Sequence, residues 1–235
     1  MNEKDKLSIP AIIGSLVIVL ILGFILVKGR VPQVQNPPTV AEKAVEPSTQ
    51  NVAPAEATFD PVVIPPITEK DYVKGSAGAT VSIILYSDTQ CPYCRMFYPI
   101  LKSFLDQNRD VNFVYRPTPF HEAGQIEEQA MDCANDQGKY WEYFDAIYVS
   151  ADTENLTDTA RLKKIATDNG LDGTVFEQCF TSQKYIGNID TYLNASRSAE
   201  ITGTPTSIIT GPNGTQKIEG LKSAETLKAI VDSVR

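Results

Sequence analysis

The 235-residue chain falls between one and two ordinary domains of about 100–200 residues, and its 42% apolar, 9% aromatic and 21% charged side chains exclude a wholly disordered chain, collagen or a coiled-coil rod. A net charge of −8, from 29 acidic and 21 basic residues, argues against nucleic acid as a partner, because neutralising phosphates takes a basic surface. One histidine cannot build a His-based metal cage, and four cysteines are too few to staple a small disulfide scaffold.

Leu7 to Val27 is a run of 21 residues without a charge, 16 of them apolar. At ~1.5 Å rise per residue a helix of this length spans roughly 30 Å, the thickness of a bilayer core. Residues 1–30 are therefore predicted to be an uncleaved N-terminal membrane anchor. A buried soluble helix rarely runs past about 18 uncharged residues. A cleaved signal peptide would carry an apolar region of ~7–15 residues and then a small-x-small site, whereas this run ends in Val27-Lys28-Gly29-Arg30. No cysteine precedes Cys91, so lipid attachment after cleavage is not expected. Lys4 and Lys6 on one side balance Lys28 and Arg30 on the other, which leaves the orientation open.

Residues 31–67 change character. Eight of the fifteen prolines fall between Val31 and Pro66, among Ala, Val, Gln, Thr and Glu with no helical or strand period. That composition cannot bury a core, so the segment is expected to be a disordered tether able to reach on the order of 100 Å.

Residues 68–235 form the expected folded part, with 23 acidic and 16 basic side chains. The β-branched run Ala79–Tyr86 predicts a buried strand. After the polar turn Ser87-Asp88-Thr89-Gln90, Pro92 stands where a first helical position tolerates proline, and Phe97, Ile100, Leu101 and Phe104 repeat at helical spacing to about Gln107. Val111–Arg116 is a second strand, so the two should be parallel with a right-handed crossover. A helical block of about 122–200 follows, with helices over Gln125–Asp136, Lys139–Tyr148, Thr157–Asn169, Thr174–Thr181 and Ile186–Ala199. Thr206–Thr210 and Gln216–Ile218 flank the hairpin signal Gly211-Pro212-Asn213-Gly214, and Ala224–Val234 closes the chain as an amphipathic helix. The layout is α/β: βαβ, a helical insertion, then ββα.

Chemistry concentrates at Cys91-Pro92-Tyr93-Cys94, on a strand-to-helix junction. A thiol there lies among unpaired backbone N–H groups at the positive end of the helix dipole, which stabilises a thiolate. Two cysteines on one helical turn are close enough for a disulfide, an arrangement suited to exchange in which Cys91 attacks or is attacked and Cys94 resolves. Half of a zinc site is the competing reading, with Cys133, Cys179 and His121 as the available partners and none of them in a second CxxC; an inert structural pair is another. Gly203-Thr204-Pro205-Thr206, just before a strand, is a second element: either punctuation at a strand start, or a cis proline facing the dithiol and pairing with substrate backbone.

Three blocks resemble the DsbA-like thiol–disulfide oxidoreductases of the thioredoxin superfamily. They are Ser87-Asp88-Thr89-Gln90-Cys91-Pro92-Tyr93-Cys94, Cys133-Ala134 through Gln137-Gly138-Lys139-Tyr140-Trp141-Glu142-Tyr143, and Gly203-Thr204-Pro205-Thr206, and the likeness covers about residues 70–235. The resemblance implies a thioredoxin fold with a helical insertion, a nucleophilic Cys91, a resolving Cys94 and a cis-proline loop at Thr204 and Pro205 that binds substrate. It implies no cofactor beyond the redox-active disulfide and no metal. It departs from the strongest oxidants in carrying Pro92-Tyr93, not Pro-His, and Thr204 where some oxidase branches have valine. The direction of catalysis is therefore not legible, since ~30 mV is only ~1.4 kcal/mol for this couple. Asp88 is a candidate acceptor for the resolving proton if buried; in such a place an aspartate otherwise caps a helix or turn. In an oxidising compartment, and by the same resemblance, Cys133 and Cys179 form a structural disulfide; two free buried thiols and a redox relay between the pairs are the alternatives. Tyr140, Trp141, Tyr143, Phe144 and Tyr148 are expected to be core more than peptide groove, and His121 a solvated or capping residue.

These observations predict a single-pass cell-membrane protein, anchored by residues 7–27, with its catalytic domain extracytoplasmic because an oxidant is useful outside the reducing cytosol. It would be a dithiol oxidase of extended, reduced secreted polypeptides, reoxidised by a quinone-linked membrane partner. The alternatives are a disulfide reductase or isomerase using the same cysteines, or a non-catalytic metal- or peptide-binding module. A dimeric isomerase needs a dimerisation domain, for which the Pro-rich tether is a poor substitute.

Overall fold

The computed structural model describes residues 64–76, 78–150 and 157–235. The anchor expected over 1–30, with its membrane segment 7–27, and nearly all of the 31–67 linker lie outside the described residues. Among the described residues no helix is long and apolar enough to cross a membrane.

Five strands form one sheet: β1 (Tyr72–Lys74), β2 (Val81–Ser87), β3 (Val111–Pro117), β4 (Thr206–Gly211) and β5 (Gly214–Glu219). The strand order is β1-β3-β2-β4-β5, with β2 and β3 parallel in the register Ile83↔Phe113 and all other pairs antiparallel. The parallel pair is the one expected from strand, helix, strand. The three-residue β1 was not expected; it is too short to show a period, and it forms because β3 leaves an edge whose backbone groups Tyr72–Lys74 can pair. The hairpin strands run longer than the apolar pattern suggested, because pairing continues to Gly211↔Gly214 around Pro212-Asn213. Gly214 sits at φ +139°, a backbone setting that side chains resist.

β2 and β3 are apolar on both faces because both faces are covered. Ile83, Leu85, Phe113, Tyr115 and Ile209 face the larger core. Ile84, Tyr86, Val114 and Ile208 face a smaller one, closed by Ala199, Ile201 and Ile64. On the larger side lies α1 (Pro92–Gln107), whose Phe97, Leu101 and Phe104 are buried at helical spacing and whose C-terminus is closed by Asn108 donating to the Phe104 carbonyl at 2.8 Å. The closing helix α7 (Ala224–Val234) adds Leu227, Val231 and Val234 and is capped by Ser223.

The insertion comprises α2 (Glu122–Asn135), α3 (Tyr140–Val149), α4 (Thr159–Asp168), α5 (Gly173–Thr181) and α6 (Ile186–Ser198). Asp158 and Asp172 cap α4 and α5 through the amides of Ala160 and of Thr174 and Val175. Tyr140, Tyr143, Phe144 and Tyr148 are buried, as expected of core, with Phe144 edge-on to Tyr98 and Tyr115. Each such ring contributes about 1.5–3 kcal/mol of transfer free energy. Cys133 of α2 and Cys179 of α5 are joined by a disulfide, so neither is a free thiol nor available beside Cys91 and Cys94 as a metal ligand.

Ile64, within the stretch expected to be linker, packs against the smaller core. Arg116 of β3 holds this segment: its guanidinium donates to Asp71 Oδ1 at 2.7 Å, to the Pro66 carbonyl at 2.9 Å and to the Tyr86 hydroxyl at 2.8 Å.

Candidate active site

The site stands at the C-terminal ends of β2 and β3, where the chain leaves the sheet for α1. Pro92 needs no donor in the first turn, so the helix starts directly after Cys91, whose backbone is still extended. That leaves Cys91 at the helix N-terminus, 7% exposed, and turns Cys94 inward at 1%. Tyr93 points to solvent at 62%. Both cysteines are free thiols.

The Thr204-Pro205 peptide bond is cis, as the loop reading required. The Thr204 carbonyl accepts from Cys91 Sγ at 3.3 Å. Residues 113 positions apart thus form one site. Burial pushes the Cys94 thiol up to about 12, against the opposing pull of contacts from Ser87, the Asp88 backbone and Thr204.

Asp88 is fully buried. Its Oδ1 accepts from the Gln90 amide at 2.9 Å; its Oδ2 accepts from the His121 amide at 2.9 Å and lies 2.7 Å from His121 Nδ1. The carboxylate therefore ties the active-site turn to the start of α2. His121 is the residue at the α2 N-cap, the boundary position expected of it. Gly124 allows this approach, since a β-carbon there would run into Asp88 Oδ1.

Sequence reasoning did not single out the acids beneath this loop. Glu127 and Glu128 are both buried, and both are pushed above the ordinary carboxylate range chiefly by that burial. Glu127 lies beside Thr89 and Gln90, 3.9 Å from the Arg95 guanidinium, which also donates to the Ile147 carbonyl at 3.1 Å. Glu128 accepts from the Tyr115 hydroxyl at 2.5 Å. A signal was present: Glu127 and Glu128 precede Met131 by four and three positions and so share the helix face of Ala130, Met131 and Ala134. Ser87, Tyr115 and Tyr148 carried none, reading as ordinary strand and core residues.

Two thiols on the first turn of a helix, opposed by a cis-proline loop at the end of such a sheet, make up a dithiol site on a thioredoxin fold. The chain belongs to the thioredoxin family, whose model matches residues 67–233. It is 28% identical over 168 residues to the Na(+)/H(+) antiporter NhaA 3 of Salinispora tropica, a match covering 69% of this chain and 25% of that protein. The thiol:disulfide interchange protein DsbA of Pseudomonas syringae pv. tomato is 26% identical over 124 residues, 52% of this chain and 58% of that protein. Among solved structures, Pseudomonas aeruginosa DsbA2 superposes with a TM-score of 0.56 at 28% identity, over 69% of this chain and 93% of that one. The chain spans about a quarter of the length of the antiporters it matches.

Proposed function

We propose that this chain is a membrane-anchored, extracytoplasmic dithiol oxidase that introduces disulfides into secreted polypeptides through Cys91 and Cys94. The observation that carries this reading is the pair of free cysteines at the α1 N-terminus, with Cys91 bonded to Thr204 of the cis-proline loop. In the oxidised enzyme a substrate thiolate attacks Cys91 Sγ, the Cys91–Cys94 bond breaks, and Cys94 leaves with the electron pair. A second substrate thiolate then displaces Cys91, and the substrate departs with its disulfide. Thr204 and Pro205 offer backbone to an extended peptide, and Pro92 and Tyr93 shape the rim. Asp88 holds the turn in place and is a further candidate for the proton released at Cys94.

The reduced pair is reoxidised, on this reading, by a quinone-linked membrane partner. The uncharged run over residues 7–27 supports the anchor. Pro92-Tyr93 puts no imidazole beside Cys91, which favours the competing reading of a reductase or isomerase using the same cysteines. Equilibrating the full-length chain with glutathione buffers separates the two. An oxidase is expected near about −120 mV, and a value near about −270 mV would overturn that direction.

A further inference from the structure

A hollow of about 370 Å³ opens between the end of β1, the later turns of α1 and the start of β3. That is the size of an ordinary small-ligand pocket. Cys91 precedes the first turn of α1, whereas Leu105 and Asp106, which line the hollow, belong to its last. At ~1.5 Å rise per residue they stand about 20 Å along the helix from the thiols. Tyr98, Leu105 and Phe113 give the hollow an apolar floor, and the more exposed Lys74, Lys102 and Arg109 form its rim.

The rim cations are loosely held. Lys74 and Lys102 share a single oxygen, Asp145 Oδ2, at 3.6 and 3.4 Å, and Arg109 stands 3.4 Å from Asp106. Elsewhere on the fold lysines close on their carboxylates at charged hydrogen-bond distance: Lys163 on Glu177 and Lys164 on Asp168 at 2.6 Å, Lys184 on Asp136 at 2.7 Å. Asp145 also accepts from the Tyr98 hydroxyl. One carboxylate cannot neutralise two ammonium groups, so three cations here face two acids. The folded part as a whole has the opposite balance, 23 acidic to 16 basic side chains. A solvated basic face would account for the charges, but not for the apolar cavity they surround.

We propose that this hollow binds a small aromatic anion, its ring lying on Tyr98, Leu105 and Phe113 and its acid group between Lys74 and Lys102. The lining sets the class. The apolar floor accepts a ring, and the excess positive charge selects an anion and repels a cation. An acid group placed between the two ammonium groups supplies the second negative charge that Asp145 alone does not. The inference goes beyond the redox role of Cys91 and Cys94 and does not rest on it.

The chain holds one tryptophan, and its position makes it the reporter: the Trp141 ring lies 5.4 Å from that of Phe113 and 5.4 Å from Lys74 Nζ. The test follows the single indole N–H resonance of the isotope-labelled full-length chain in neutral detergent during titration with naphthalene-2-sulfonate. The signal is expected to move saturably, with half-saturation at or below about 1 mM. The uncharged naphthalene-2-sulfonamide should bind at least about fivefold more weakly, the Coulomb contribution of one charge pair near 4 Å in water. Lys102→Met keeps the apolar stem, removes the charge and should weaken the sulfonate by about fivefold. Asp145→Asn keeps an acceptor for Tyr98, frees both ammonium groups and should tighten binding by a similar factor. Opposite shifts from two neighbouring charges are not what a damaged fold produces, and either variant carries the test should the other not fold. No saturable movement, equal binding of the sulfonamide, or an affinity that a folded variant leaves unaltered overturns the site.

Discussion

Cys133 and Cys179 close a loop with a sequence separation of 46 that holds the end of α2 against α5. The perturbation is reduction of this bond in a Cys91→Ser, Cys94→Ser background, so that reductant acts nowhere else among the four cysteines. The comparison is then between two forms of one sequence, differing only in the cross-link. Cross-linking removes chain entropy from the unfolded state by about 2.1 + 1.5R ln n cal/mol/K. For this separation that comes to about 4 kcal/mol at 25 °C. A folded unit of this size shifts by about 2–4 °C per kcal/mol, so the midpoint should fall by roughly 8–16 °C. The assay is a thermal melt of protein reduced under denaturing conditions and refolded in reductant, with alkylation of both thiols confirmed by mass. A fully reduced sample melting within about 3 °C of the oxidised one would refute the reasoning. It would mean that the packing of α2 on α5, centred on buried Cys133 and Phe176, already restrains the chain as much as the bond does.

Arg116→Met should cost about 3–5 kcal/mol, because it strands the Asp71 carboxylate, itself almost buried, and leaves the Tyr86 hydroxyl and Pro66 carbonyl without their donor. Denaturant midpoints measure this, and a loss under about 1 kcal/mol would show that the clamp is dispensable. Gly124→Ala should destabilise by about 1–3 kcal/mol and slow exchange with glutathione, since the new β-carbon meets an Asp88 carboxylate already held by Gln90 and His121; an unshifted midpoint with wild-type exchange contradicts it. Burial raises Glu128 in the folded state, so its contribution to stability is fully present below the unfolded carboxylate range and is lost as pH rises through its folded value. Glu128→Gln cannot ionise, so as pH rises above the unfolded carboxylate range it should lose less stability than the wild type. Urea titrations giving parallel pH curves for the two proteins would count against that assignment.

Much of the fold was legible because its elements advertise themselves locally. The α1 and α7 ranges followed from apolar spacing, Pro92 and chain punctuation, and the five insertion helices lie within a few residues of their expected bounds. β1 escaped because three residues carry no period; its pairing is a property of the β3 edge. Ile64 and Pro66, expected as linker, are held by a smaller core and by a guanidinium on a strand some fifty positions away, which no local pattern announces.

At the site, the sequence by itself determined that two thiols would share one turn at a helix start and that Thr204-Pro205 would precede a strand. Those are consequences of short spacings, which helix geometry converts directly into position. Only the tertiary structure decided that Asp88 would be engaged by His121 and Gln90, and that Ser87, Tyr148, Tyr115 and Glu128 would form one line of hydrogen-bonded groups. The links in that line join residues 61, 33 and 13 positions apart. No local rule governs such distances, because which buried polar groups meet is set by how helices and sheet pack. Once packing has removed water, each must find its partner within the protein.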